Sequence, residues 1–230
     1  MDLTFKDLQA LIDLDEKQIR RMLEQGVIPA YRIGDEVRFN RAEIKAWCLE
    51  RNIPLTRKAV NAAMTDSGIS LTALIGRGGC FREVPGKNAV TVIKNAVGYL
   101  SLPLGITREE LTFNLLEREE MMTTAIGRGI ALPHPRQPLI TDPLNQMVAL
   151  CFLKKPIDFQ ALDREPVHTL FVVLSADAPR HLEILSRLSF LCRDDRFVGF
   201  LEKRVAIDEI LDYIMLQEIE WGEKADASSR

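Results

Sequence analysis

Residues 124–135 read Thr-Ala-Ile-Gly-Arg-Gly-Ile-Ala-Leu-Pro-His-Pro, and this stretch is the most informative part of the chain. It contains His134, one of three histidines in 230 residues. A neutral imidazole can act as a nucleophile without a helper base, because its unperturbed pKa lies near neutrality. Gly127 and Gly129 allow the backbone to bend or another group to approach closely, and the flanking prolines restrict the chain. The stretch therefore predicts a stiffly presented histidine, although a lone histidine is more often structural than chemical.

The composition is that of an ordinary globular protein, with 47% hydrophobic and 27% charged residues. No apolar run approaches the roughly 18 residues of a membrane span. The first residues also lack the basic and apolar regions of a signal peptide, so we expect a cytoplasmic protein. The four cysteines are far apart and have no histidine cluster near them, which predicts reduced structural thiols and no zinc site.

The charge differs between the two ends of the chain. Residues 1–58 contain 11 Lys and Arg against 10 Asp and Glu, whereas the remainder contains 19 against 23. The net charge of −3 gives no global electrostatic argument for nucleic acid. The slight excess of positive charge at the N-terminal end is nevertheless in the direction expected for a nucleic-acid module placed there.

Residues 1–51 predict a small unit that begins with two helices. Thr4 and Asp15 are candidate N-caps, each followed by apolar residues at helical spacing. Gln18 gives the second helix a capping box, and Gly26 ends that helix. Two short helices joined by a tight turn form a helix-turn-helix.

A hairpin and a third helix are predicted after this motif. Alternating apolar residues on either side of Gly34-Asp35 predict the hairpin, or wing, and Asn40 is expected to cap the third helix. With the segments 26–30 (Gly-Val-Ile-Pro-Ala) and 38–41 (Arg-Phe-Asn-Arg), the unit resembles the excisionase-like branch of the MerR superfamily, which are winged-helix DNA-binding modules. The resemblance implies that the second helix enters the major groove and that the wing grips phosphate or the minor groove. The residues expected at the DNA are Lys17, Gln18, Arg20 and Arg21 on the helix, and Arg32 and Arg38 on the wing.

Two other interpretations of the N-terminal unit stay open. The charges could simply solvate a surface helix, and Asp15 and Glu16 would repel phosphate where the helix approaches DNA. Excisionase-like folds also serve as protein-docking modules. DNA binding is the favoured interpretation, and the sequence does not indicate an operator.

Residues 52–70 are interpreted as a linker, in which 55–64 could form a connecting helix. Residues 222–230 are interpreted as a tail, of which 225–230 are expected to be disordered. Between them, residues 71–221 mix strands and helices, which predicts an α/β domain with a mixed sheet. Helices are expected at 89–99, at 108–118 with Thr107 as the cap, and at about 179–193, 194–203 and 207–219, and strands at 147–153 and 170–174.

Three other residues predict a chemical role for His134. Arg118 ends a predicted helix 16 residues earlier, and His181 lies in the first turn of a later helix, whose positive dipole end favours an anion. Thr124 adds a hydroxyl. Such a group suits a phosphate held on an imidazole, because one pair of unit charges about 4 Å apart is worth roughly 4 kcal/mol at an effective dielectric of 20. The site needs neither a metal nor a cofactor.

These residues also carry a family resemblance over about 150 residues. The segment 115–119 (Leu-Leu-Glu-Arg-Glu), the stretch 124–134 and the segment 179–182 (Pro-Arg-His-Leu) occur in the order typical of the IIA domain of the bacterial phosphotransferase system, mannitol/fructose type. Nitrogen-regulatory IIA proteins belong to that type, and residues 156–163 agree with it as well. The resemblance implies a IIA type-2 α/β domain whose mixed sheet is flanked by helices.

The resemblance also implies a phosphorelay. His134 would take a phosphoryl group on Nε2 from the phosphohistidine of a small HPr-type carrier protein. His181 would support that group by hydrogen bonding, and Arg118 would neutralise it. His181 could instead be a helix-capping surface residue, and Arg118 could merely pair with a neighbouring glutamate.

The sequence departs from the family pattern at three positions. Pro135 and Arg136 replace the Gly-Lys that often follows the histidine, and Arg164 stands where a turn glycine is usual. Arg136 adds positive charge, whereas Pro135 could narrow the access of a partner. His168 fits no motif position and is interpreted as structural.

Together the two halves predict a regulatory protein in which phosphorylation of His134 tunes binding to DNA or to a protein target. No reactive-cysteine IIB-like domain and no membrane-spanning segment follow, which argues against sugar transport within this chain. One alternative is a plain phosphocarrier whose N-terminal unit only docks a partner. Another is a DNA-binding regulator whose IIA-like domain is not an active phosphocarrier.

Overall fold

The structure, a computed structural model, describes residues 3–33, 36–40, 43–44, 47–48, 51, 53, 56 and 69–228. For residue 33 and residues 222–228 it describes the backbone alone. Within these ranges, no helix is both long enough and apolar enough to span a membrane.

The N-terminal unit contains the predicted helices α1 (Phe5–Leu11) and α2 (Glu16–Glu24). Both predicted caps are confirmed as capping boxes, since Thr4 exchanges hydrogen bonds with Asp7 and Asp15 does so with Gln18. Each box satisfies backbone N–H groups that a helix start leaves without a partner. Gly26, at φ +67°, ends α2 in the left-handed region, as predicted.

The predicted hairpin consists of β1 (Tyr31–Ile33) and β2 (Glu36–Arg38), which pair antiparallel. Its predicted turn, Gly34-Asp35, lies outside the described residues, as does the possible connecting helix at 55–64. Asn40 accepts the backbone N–H of Glu43 on its side-chain oxygen, as expected for the cap of a third helix.

The C-terminal part is built on a five-stranded mixed sheet, as predicted. In the order β3-β6-β7-β5-β4, β6 pairs parallel with β3 and antiparallel with β7, and β5 pairs parallel with β7 and antiparallel with β4. The strands are β3 (Cys80–Val84), β4 (Ala125–Gly127), β5 (Ile130–Ala131), β6 (Met147–Ile157) and β7 (Val167–Leu174).

Helices cover both faces of this sheet and bury alternate residues of its central strands. The helices are α3 (Leu71–Gly78), α4 (Ala89–Tyr99), α5 (Arg108–Met121), α6 (Ala178–Leu191), α7 (Asp195–Lys203) and α8 (Ile207–Ser228). On one face, α4 and α5 share a buried cluster with side chains such as Cys151 and Val172, and on the other, α3, α6, α7 and α8 share a cluster with Phe152 and Phe171.

The structure corrects the prediction for the C-terminal tail. Helix α8 continues to Ser228, whereas we expected a helix at about 207–219 and disorder at residues 225–230, of which 229–230 lie outside the described residues. The extension is consistent with composition, because residues 223–227 (Glu-Lys-Ala-Asp-Ala) contain strong helix formers and neither glycine nor proline.

Candidate functional site

The strands β4 and β5 form a tight hairpin that places the chain before His134. Arg128 (φ +57°) and Gly129 (φ +69°) occupy its two central positions, and both lie in the left-handed region that a type I′ turn requires. The carboxylate of Asp163 accepts the backbone N–H of Arg128 at 2.7 Å. A Cβ at Gly129 would lie 2.5 Å from Nε2 of His168, so the glycine is needed for close packing. His168 therefore supports the hairpin, as its structural interpretation predicted.

Replacing Gly129 by alanine is expected to destabilise the protein. The positive φ costs an L-residue about 1–2 kcal/mol, and displacing the His168 ring adds to it, so we expect a loss of about 2–4 kcal/mol. Urea unfolding measures the effect. Gly98→Ala is the matched control, because Gly98 lies in α4 and a Cβ there would meet no atom within 4 Å. Equal unfolding midpoints for the two variants would contradict the close packing of Gly129.

His134 is held in one tautomer by the backbone. Its Nδ1 lies 2.6 Å from the carbonyl oxygen of Leu132. A carbonyl oxygen only accepts hydrogen bonds, so Nδ1 carries the proton and Nε2 carries the lone pair. The segment is fixed in turn, since Leu132 donates its N–H to Thr124 and Val173 donates its N–H to Pro133, at 3.0 and 2.9 Å. The neutral ring thus presents Nε2 as its nucleophilic atom.

Arg118 lies at this nucleophilic nitrogen. Its Nε donates to Nε2 of His134 at 3.2 Å, and its Nη1 donates to the carbonyl oxygen of Met122 at 2.7 Å. The side chain comes from the last turn of α5 and is only 6% exposed. A buried cation is therefore already in place beside the atom that would carry an anionic group.

The ring of His181 packs against the ring of His134. The ring centroids of His134 and His181 are 4.9 Å apart, with an interplanar angle of 58°. His181 stands in the first turn of α6, after Pro179, as predicted from the sequence. Its ring contacts His134 instead of capping a helix at the surface. The carboxylate of Asp177 caps this helix, and so takes part of the anion-binding capacity that we expected of the helix start.

Both histidines are neutral near pH 7. Burial, followed by the neighbouring His181 and Arg118, lowers the pKa of His134 well below its ordinary 6.5, although the bond to Leu132 works in the opposite direction. Burial and then the charge of Arg118 lower the pKa of His181 to about 4. A neutral His134 can attack an electrophile without first losing a proton.

The hydroxyl of Thr124 bonds to Glu119 and not to the cluster of Arg118, His134 and His181. The side chain of Thr124 is 1% exposed, and its hydroxyl donates to the carboxylate of Glu119 at 2.5 Å. The same carboxylate accepts the backbone N–H of Thr124. Burial raises the pKa of Glu119. Thr124 thus ties the start of β4 to the end of α5, whereas Arg118, His134 and His181 make up the cluster itself.

Two neighbours of the site were not found from the sequence. Ser175 follows the last residue of β7, and its hydroxyl lies 2.8 Å from Nδ1 of His181. Glu119 belongs to the motif at 115–119, but no role was assigned to it from the sequence. A polar residue directly after a buried strand is a signal that could have pointed to Ser175.

The departures from the family pattern are accommodated locally. Arg164 adopts φ +62°, the left-handed conformation that a turn glycine would supply, and donates its N–H to Ala161. Pro135 is buried beside the site. Arg136 is exposed, with Nη1 4.0 Å from the sulfur of the exposed Met121.

The residues expected at DNA lie apart from the histidine cluster. Their side chains are exposed on α2 and β1, except that Arg38 on β2 is partly buried: Lys17, Gln18, Arg20, Arg21, Arg32 and Arg38. Two are engaged by neighbouring glutamates, since Arg20 pairs with Glu16 at 2.7 Å and Arg38 with Glu36 at 2.5 Å. Exposed pairs of this kind contribute little to stability because solvent screens them, so a stronger anion can replace the glutamate.

Comparison with known families accounts for both parts of the chain. Residues 80–216 match the model of the phosphoenolpyruvate-dependent sugar phosphotransferase system, EIIA 2, and residues 3–52 match a helix-turn-helix domain. The first match contains every residue of the histidine cluster. The second contains all the residues expected at DNA.

Known relatives agree with the EIIA match. Nitrogen regulatory proteins of Escherichia coli and Pseudomonas aeruginosa are 40% and 33% identical over 131 and 124 residues, which are 56% and 53% of this chain and 77% and 79% of theirs. Other relatives are covered over 16% to 77% of their length.

The crystal structure of nitrogen regulatory protein IIA-Ntr from Neisseria meningitidis has the same fold. The TM-score is 0.55 at 20% identity, over 62% of this chain and 97% of that one. Together with the ordered motifs, the match of residues 80–216 confirms the predicted family. The chain belongs to the EIIA type-2 family of the phosphotransferase system and carries an N-terminal helix-turn-helix domain.

Proposed function

We propose that this chain is a regulatory IIA protein that accepts a phosphoryl group on Nε2 of His134 from an HPr-type phosphocarrier. The phosphorylation state would then tune the binding of the N-terminal domain to DNA or to a regulatory protein target. The relay begins at phosphoenolpyruvate, a cytoplasmic metabolite, so the proposal includes a cytoplasmic location.

One observation carries the proposal: the backbone carbonyl of Leu132 holds the proton on Nδ1 of His134 while the guanidinium of Arg118 sits at Nε2. The lone pair is thereby presented in one direction, with a cation ready for the incoming group. A structural histidine needs a hydrogen-bond partner, but it does not need a buried cation at its acceptor nitrogen.

The transfer balances without a general base. The lone pair on Nε2 of His134 forms the new N–P bond as the carrier's N–P bond breaks, and the carrier's imidazole keeps the electron pair of that bond. The proton on Nδ1 stays in place, and its bond to the Leu132 oxygen stabilises the positive charge that the ring gains. Arg118 moves from Nε2 to the phosphoryl oxygens, where a bidentate contact suits its planar guanidinium.

A reconstituted relay tests the proposal. The full chain is incubated with phosphoenolpyruvate, the first enzyme of the relay and an HPr-type carrier, and acid-labile phosphate on the chain is measured. We expect one phosphoryl group per chain, and none if the carrier is omitted. No uptake from any carrier would contradict the proposal and would favour a regulator whose IIA domain is not an active phosphocarrier.

A physical connection between the two parts supports coupling. From the hairpin turn, the guanidinium of Arg128 donates to the carbonyl oxygens of Cys192 and Arg193 at 3.3 and 2.9 Å. The side chain of Arg193 in turn pairs with Asp13, just after α1, at 3.3 Å. The hairpin before His134 is thus joined through one short loop to the helix-turn-helix.

DNA binding is expected to weaken as salt rises. A plot of log affinity against log salt concentration has a slope of roughly −0.9 for each phosphate contact. Arg20→Ala and Arg38→Ala should therefore each reduce the steepness of this slope by about 1. Glu16→Gln frees Arg20 and should strengthen binding. The affinity is measured by fluorescence anisotropy between low and high salt.

Lys94→Ala is the control for these variants, because Lys94 is exposed on α4 in the other domain. Unchanged slopes in Arg20→Ala and Arg38→Ala would contradict the groove assignment.

The second candidate, a protein-docking role, is favoured by the glutamates that already neutralise these two arginines. If the N-terminal domain docks a protein instead of DNA, none of these substitutions changes the salt dependence of the affinity for DNA.

A further inference from the structure

The hydroxyl of Ser175 contacts the ring of His181. Ser175 directly follows the buried strand β7, is 5% exposed, and its Oγ lies 2.8 Å from Nδ1 of His181. In the part of the chain that the structure describes, this is the only hydrogen bond of either side chain. Ser175 itself lies outside the three motifs that carry the family resemblance.

A neutral His181 carries one ring proton, and two arrangements satisfy the contact with Ser175. Either the hydroxyl donates to Nδ1 and the proton is on Nε2, or Nδ1 carries the proton and the hydroxyl accepts it. A phosphoryl group has acceptor oxygens only. The rings of His134 and His181 are 4.9 Å apart, and Ser175 already occupies Nδ1, so Nε2 is the nitrogen of His181 left to contact a group on His134. Only a protonated Nε2 can then donate to it.

We propose that Ser175 is a positioning residue whose hydroxyl donates to Nδ1 of His181 and so fixes the proton on Nε2, ready to donate to the phosphoryl group on His134. This inference rests on the proposed phosphorylation of His134 and adds a residue to that site. The arrangement mirrors that of His134 itself. The Leu132 carbonyl accepts a hydrogen bond from Nδ1–H of His134, which leaves a lone pair on Nε2 of that ring. The Ser175 hydroxyl donates to Nδ1 of His181, which leaves an N–H donor on Nε2 of that ring.

Loss of the Ser175 hydroxyl is expected to change the state of the His181 ring. Without the hydroxyl, Nδ1 of His181 would lose its partner in a partly buried site, and a polar group left without a partner there is costly. The ring would then populate both tautomers or turn away. In a fraction of the molecules, Nε2 of His181 would then carry a lone pair, which repels the phosphoryl oxygens.

Nitrogen-15 NMR of the full chain tests the assignment before any phosphate is added. In the wild type at pH 7 we expect the nitrogen shifts of His181 to show an unprotonated Nδ1 and a protonated Nε2. The opposite pattern would overturn the proposal. Because this measurement needs no relay, the tautomer can be confirmed even if His134 never takes phosphate, and in that case the proposed function fails by itself.

Two variants connect the tautomer to transfer. Ser175→Ala should mix the tautomers of His181 and slow phosphoryl uptake about tenfold, the effect of losing one hydrogen bond in the transition state. Ser175→Thr keeps the hydroxyl and should retain both the tautomer and the rate. Thr169→Val is the matched control, since Thr169 bonds Nδ1 of His168 at the same 2.8 Å, and we expect no change in uptake. A slow Ser175→Ala variant with an unchanged tautomer, or an equal loss in Thr169→Val, would overturn the inference.

Discussion

A His134→Ala variant is expected to take up no phosphate from an HPr-type carrier, because it removes the only atom in the cluster that combines a fixed lone pair with an adjacent cation. His181 is also neutral, yet its Nδ1 is bonded to Ser175 and its Nε2 is not paired with Arg118 by a hydrogen bond in the described structure. The measurement is acid-labile phosphate after a long incubation with excess carrier.

His168→Gln is the control for this loss. His168 is the third histidine of the chain, and its ring packs on Gly129 in the hairpin, with Nδ1 2.8 Å from the hydroxyl of Thr169. We expect this variant to take up phosphate as the wild type does, after circular dichroism has shown that both variants are folded. Acid-labile phosphate on the His134→Ala chain would place the nucleophile elsewhere.

Local signals in the sequence predicted much of the fold. The caps at Thr4, Asp15 and Thr107 were predicted correctly, because a capping side chain bonds to a backbone three residues away and needs no tertiary information. The strand predicted at 147–153 extends to Ile157, through exposed lysines and a proline that obscure the pattern. Helix α3 and the strands β3, β4 and β5 were not predicted, since segments of two to eight residues are held mainly by their neighbours.

The cluster was predicted less completely than the fold. Arg118, His134 and His181 were found because each stands in a motif of its own, and the fold brings the three together. Ser175 and Glu119 were missed, since their roles depend on which side chain faces them across the structure. The tautomer of His134 was likewise beyond the sequence, because it depends on the direction of the Leu132 carbonyl.

Arg118→Leu replaces the buried cation by a shorter apolar side chain, and we expect it to weaken the phosphorylated state. A unit charge pair at about 4 Å is worth roughly 4 kcal/mol at an effective dielectric of 20, so phosphorylation of His134 should become less favourable by up to about a thousandfold. Arg118→Lys keeps the charge but loses the Nε donor, and an intermediate loss is expected. The measurement is the equilibrium share of phosphoryl groups between the chain and the carrier.

The same variant should also change the pH dependence of the transfer. Attack requires a neutral His134, and burial, His181 and Arg118 lower its pKa well below 6.5, so wild-type uptake should stay constant from pH 8 down to 6.5 and fall only at lower pH. Arg118→Leu removes one of these causes, so the pKa of His134 rises and inhibition by acid begins at a higher pH, while burial still holds the pKa down. Initial rates across this range measure the shift. A wild-type rate that falls already between pH 8 and 7, or an Arg118→Leu profile displaced to lower pH, would contradict the electrostatic role of Arg118.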